Sequence, residues 1–107
     1  MTEAEFRARV YRLIAAIPAG CVVTFGQLAA LCGNPRAARR AARAVAAAPE
    51  GLPCHRVVRA GGHLVPEHVF GLGVQRALLL AEGAVFRGET VDLQACIWRP
   101  GAQELPG

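Results

Sequence analysis

The stretch Thr24–Ala48, TFGQLAALCGNPRAARRAARAVAAA, decides the fold. Thr24 followed three residues later by Gln27 is a helix-start signal, and Leu28, Ala29 and Leu31 then recur at helical spacing until Gly33 closes a short helix. Asn34 can cap a second helix, and Pro35 suits its first position, where a backbone N–H is not needed. The alanine-rich run from Arg36 to Ala48 has nearly maximal helix propensity and stops at Pro49-Glu50-Gly51. Two helices joined by a tight Gly-Asn-Pro turn predict a helix-turn-helix.

The second helix also carries the charge. At about 100° per residue, Arg36, Arg39, Arg40 and Arg43 fall on one stripe, with Ala41 and Val45 behind it. Like charges at these spacings repel, and no acid lies between Pro35 and Pro49, so the stripe calls for a polyanionic partner. The whole chain is basic at +4, and every cation is an arginine, whose fork matches phosphate and base edges.

Working outward, Thr2-x-x-Glu5 opens a first amphipathic helix on which Phe6, Val10, Leu13 and Ile14 share a face, running to about Ala16. Cys21-Val22-Val23 reads as an extended link, Leu52–Val58 as an extended segment and Leu64-Val65 as a short strand. Gly73–Ala81 reads as a helix, and Ala84-Val85-Phe86 with Val91-Asp92-Leu93 as a closing hairpin across Arg87-Gly88-Glu89. The class is mostly α with short strands. A chain of 107 residues makes one domain, residues 1–100, with 101–107 expected as a disordered tail. With no leader and no long apolar run, a cytoplasmic monomer is expected.

Cys21, Cys32, Cys54 and Cys96 lack C-x-x-C spacing, so no metal site and no cofactor are expected. Cys54 differs from the others because His55 and Arg56 follow it, and cations near a thiol stabilise the nucleophilic thiolate. On an extended strand, however, neighbours point to opposite faces, so His55 would reach Cys54 only through a water or a bend after Pro53. Glu82 and Glu67 are the candidates to orient the imidazole.

Taken together, Ile17-Pro18-x-Gly20, Thr24-Phe25-Gly26-Gln27-Leu28-Ala29, Gly33-Asn34-Pro35-Arg36-Ala37-Ala38-Arg39, Pro53-Cys54-His55-Arg56-Val57 and Leu78-Leu79-x-x-Glu82-Gly83 resemble the C-terminal domain of the O6-alkylguanine-DNA alkyltransferases. The resemblance covers about residues 6 to 86. It implies a winged-helix-like repair domain that binds duplex DNA by the minor groove, flips O6-alkylguanine and transfers its alkyl group irreversibly to a cysteine. By position, Cys54 is the acceptor, His55 the water-linked base and Glu82 its orienting carboxylate. Arg39 is then the finger filling the gap left by the flipped base, and Phe25, Arg36, Ala38, Arg40, Ala42 and Arg43 lie at the DNA. The alkylguanine pocket implied is Pro53, Cys54, His68, Val69 and Phe70.

Three departures bear on activity. Phe25 stands where the family has a phosphate-rotating tyrosine, Arg40 and Arg43 stand where it has small residues, and His68-Val69-Phe70-Gly71 stands where it has a Tyr-Ser-Gly-Gly lid. The short chain and its Trp98-Arg99-Pro100 ending are similar to the alkyltransferase-like proteins, which bind O6-alkylguanine without chemistry and recruit nucleotide excision repair. A helix-turn-helix regulator is the remaining alternative. It fits less well, because a recognition helix of arginine and alanine has few groups for reading bases in the major groove.

Overall fold

The computed structural model describes residues 1–106. Helix α1 spans Glu3–Ala16, and the Thr2 hydroxyl accepts the Glu5 N–H at 3.1 Å, as the capping signal predicts. Its apolar face buries Phe6, Val10, Leu13 and Ile14. Helix α2, Phe25–Leu31, starts the same way, with Thr24 Oγ1 accepting the Gln27 N–H at 3.1 Å. The Gln27 side chain does not complete the box; its amide donates to the Trp98 carbonyl at 2.6 Å, fastening the C-terminal segment to α2.

Helix α3 is shorter than its propensity predicts, Ala38–Ala46. Asn34 Oδ1 accepts the Arg36 N–H at 3.3 Å and the Asn34 carbonyl accepts the Ala37 N–H at 3.0 Å, so residues 34–37 form a turn and Arg36 precedes the helix. An asparagine bonding its own following backbone competes with helix initiation. Helix α3 packs on α1 and α2 through Ala41, Ala44 and Val45, and Tyr11 donates its hydroxyl proton to the Ala44 carbonyl at 2.7 Å. These three helices and residues from the chain's second half share one apolar cluster that includes Cys54, Val57 and Trp98.

Strand β1, Val23–Thr24, and strand β2, Val57–Val58, form a two-residue parallel ladder in which Val23 faces Val57. The extended link is therefore a strand, and Leu52–Val58 is extended only at its end. Cys54–Arg56 is instead a single 3-10 turn following Pro53. Leu64-Val65 forms no strand; a short helix α4, Glu67–Phe70, follows it, and helix α5, Val74–Ala81, comes next. The hairpin is present as β3, Phe86–Arg87, and β4, Thr90–Val91, with Phe86 opposite Val91. Asp92 then caps helix α6, Leu93–Cys96, by accepting the Gln94 and Ala95 N–H groups. Residues 101–107, expected to be disordered, include a 3-10 turn at Ala102–Glu104 and a Leu105 half-buried against the main core; Gly107 lies outside the described residues.

A second, smaller cluster of Val22, Val58, Leu79, Ala84, Val91 and Cys96 holds α5 and the hairpin to the ladder. Gly62 is required where this half closes: its φ is +86°, and a Cβ there would sit 2.2 Å from the Val91 carbonyl oxygen. No described helix is long and apolar enough to cross a membrane.

Candidate functional site

The 3-10 turn bends the chain so that Cys54 points into the protein and is buried, while His55 and Arg56 are half-buried. Both are drawn toward Glu82, which ends α5. His55 Nε2 lies 2.9 Å from Glu82 Oε1. Arg56 makes a bidentate pair, Nε to Oε1 at 3.0 Å and Nη2 to Oε2 at 2.5 Å, and Nη1 donates to the Ile17 carbonyl at 2.7 Å. Of the two acids expected as orienters of His55, the structure selects Glu82; Glu67 is exposed on α4.

The electrostatics differ from those expected of Cys-His-Arg adjacency. The guanidinium of Arg56 serves Glu82, whose carboxyl it pulls down, with help from His55 and against partial burial, from 4.5 to about 2. With Arg56 committed there, burial alone acts on Cys54 and pushes its thiol upward. The resting sulfur is thus protonated at neutral pH. An ionised Glu82 can only accept, so Nε2 of His55 carries the ring proton and Nδ1 is left as an acceptor with no protein partner among the described residues. A base held in this tautomer can take a proton from a thiol through one water.

The arginine stripe is only partly free. Arg39 and Arg43 are exposed and one turn apart on α3, with Ala38 and Ala42 half-buried beside them. Arg36 is exposed in the preceding turn. Arg40 turns to α1, where Nη2 lies 2.7 Å from Glu3 Oε2 and the guanidinium stacks 4.7 Å from the centre of the Phe6 ring. Glu3 therefore supplies one of the acids that α3 itself lacks. Phe25 opens α2, half-buried against the main core.

Of the expected pocket residues, Pro53 and Cys54 belong to the turn, while His68, Val69 and Phe70 make up most of α4. His68 and Val69 are exposed and Phe70 is half-buried against the cluster that contains Cys54. A cavity of about 570 Å³ opens behind α4, lined by Arg59, His63, Val65, Phe70, Gln75 and Arg76 among others; of the five expected residues, Phe70 alone lines it. No group of three or more His, Cys, Asp or Glu side chains is placed to hold a metal among the described residues.

Sequence reasoning missed Gln75. It is 4% exposed, and its amide donates to the carbonyls of His55 and Val57, both at 3.0 Å, while accepting the Val65 N–H at 2.9 Å. The available signal was its place four residues before Leu79 on the buried face of α5.

Residues 5–84 match the family described as 6-O-methylguanine DNA methyltransferase, DNA binding domain. The chain is 43% identical over 102 residues to the DNA base-flipping protein of Escherichia coli K12, a match spanning 90% of this chain and 76% of that one. It is 40% identical over 83 residues to the methylated-DNA–protein-cysteine methyltransferase of Homo sapiens, covering 76% of this chain but only 40% of the human protein. Among solved structures, S. pombe Atl1 in complex with damaged DNA containing O6-carboxymethylguanine superimposes with a TM-score of 0.80 at 27% identity, over 94% of this chain and all of that one. The Mycobacterium tuberculosis O6-methylguanine methyltransferase superimposes with a TM-score of 0.64 at 37% identity, over 72% of this chain and 47% of that one.

Proposed function

The chain belongs to the 6-O-methylguanine DNA methyltransferase family through its DNA-binding domain, and from that premise we propose that it binds duplex DNA containing O6-alkylguanine and takes the alkyl group onto Cys54. Helix α3 enters the minor groove, where Arg39 occupies the space of the flipped base and Arg36 and Arg43 meet phosphates. Flipping costs a few kcal/mol, which the inserted arginine and the phosphate contacts offset. Arg40, tied to Glu3, braces α3 against α1.

The observation that supports the chemistry is the contact of His55 with Glu82 one residue after Cys54, with Nε2 of His55 on an ionised carboxylate. The thiol proton leaves through water to Nδ1 of His55, and the sulfur attacks the alkyl carbon. The carbon–O6 bond breaks as the sulfur–carbon bond forms, and the guanine takes up a proton. The product is a thioether with no leaving group, so each molecule acts once. No cofactor or metal enters this balance.

Incubation with an O6-methylguanine duplex tests the reading. The intact mass rises by one methyl group, on a peptide containing Cys54. Unmodified protein that still holds the lesion overturns transfer and leaves a second reading, a lesion sensor that recruits excision-repair proteins. That reading is supported by Val69 and Phe70 in the lid and by the likeness to Atl1 over 94% of this chain. It predicts lesion binding that survives Cys54→Ala.

A further inference from the structure

Helix α4 carries the residues that the family likeness places over the acceptor, and of its four residues only Phe70 packs against the core. None of its four residues is buried, and a cavity of about 570 Å³ lies behind it. Glycines with positive φ, Gly71 at +107° and Gly73 at +72°, stand at its exit, a backbone region that other residues rarely adopt. Among the described residues, and apart from the cap bond of α4 itself (Gly71 N–H to the Glu67 carbonyl), one hydrogen bond joins residues 65–70 to the rest of the protein, the Val65 N–H to Gln75 Oε1.

The same amide holds the other side of the site. Both protons of Gln75 Nε2 are used on the carbonyls of His55 and Val57, which flank Arg56 at the end of the acceptor turn. A single side chain rooted on α5 thereby fixes the lid's entry and the turn that carries Cys54 in one frame. We infer that Gln75 is a positioning residue, whose three hydrogen bonds set the gap between α4 and the Cys54 turn and so decide whether an alkylated guanine is preferred over guanine. This rests on the lesion-binding reading above and adds to it the residue that adjusts its selectivity.

The test is Gln75→Met, which keeps the length and apolar stem but neither donates nor accepts. Its affinity for plain duplex stays near wild type and its melting temperature falls by several degrees, because three backbone groups lose their partner, while its preference for the O6-methylguanine duplex falls about tenfold. By hydrogen exchange, the Val65 amide opens at least about tenfold faster, since its acceptor is gone. Gln75→Glu is the companion, because a protonated carboxyl can donate once and accept once. In that buried place its preference recovers relative to wild type as the pH is lowered from about 8 to about 5.

A wild-type protein that fails to discriminate the two duplexes overturns the functional reading. A discriminating wild type with an unchanged Gln75→Met preference, or with unchanged Val65 exchange, overturns the positioning role alone. Equal loss on both duplexes together with a large drop in melting temperature also overturns it, since a general structural role then accounts for the residue.

Discussion

Removing the charge of Glu82 tests whether the site is held together electrostatically. In the folded chain its carboxyl sits at about 2 against an ordinary 4.5, and its side chain is 19% exposed. A depressed carboxyl contributes stability above its unfolded value and loses it as the pH falls through the folded one. The 2.5-unit difference corresponds to about 3 kcal/mol at neutral pH, of which roughly 2 kcal/mol has gone by pH 3. Glu82→Gln keeps the shape and one acceptor but not the charge, so it is expected to destabilise the protein by about 2 kcal/mol at neutral pH after screening by solvent. Between pH 7 and pH 3 the variant then loses about 2 kcal/mol less than wild type does. Asp92, also held low by Arg87, titrates alike in both proteins and cancels in the difference. Urea denaturation followed by the fluorescence of Trp98, the one tryptophan and a buried one, measures both curves. Parallel acid limbs for the two proteins would refute the argument, because they would mean that the Arg56 and His55 contacts do not lower the carboxyl.

Two further predictions concern α3 and the second core. Arg39→Ala weakens binding to the O6-methylguanine duplex by about tenfold and binding to plain duplex by much less, measured at one fixed salt concentration; equal losses count against the finger role. Gly62→Ala, which combines φ +86° with a contact 2.2 Å from Val91 O, destabilises by more than about 3 kcal/mol, whereas Gly88→Ala, at φ +60° in open space, costs about 1 kcal/mol. Comparable melting temperatures for the two would show that the close approach is relieved elsewhere.

Much of the molecule was legible because the signals are local. The Thr2 and Thr24 caps, the spacing of Phe6, Val10, Leu13 and Ile14, and the β3–β4 hairpin all follow from residues within a few positions of one another. What was hidden depends on partners distant in sequence. Arg40 reads as part of a free stripe until α1 brings Glu3, 37 positions earlier, within 2.7 Å. Arg56 reads as an activator of Cys54 until Glu82, 26 positions later, takes its Nε and Nη2 and the Ile17 carbonyl takes its Nη1. Gln75 drew no reading from the sequence, because the three backbone groups that converge on it lie on two other segments. The acceptor turn itself reads as extended because valines on one side dominate the pattern, while Pro53 starts a 3-10 turn.

The two-residue ladder of β1 and β2 has a consequence for how this protein can be made and divided. It pairs Val23 with Val57 across the whole helix-turn-helix, so the segment that carries Cys54 finds its place only after the chain between them has folded back. Parallel pairing over such a separation is a non-local contact whose loop-closure entropy the packing of α2 on α3 must first offset, so it is expected to form late. Half of the ladder belongs to the arginine-bearing part and half to the cysteine-bearing part. Neither part is expected to fold as an independent module, and a protein cut at Ala48 is expected to yield two fragments that regain structure only when mixed.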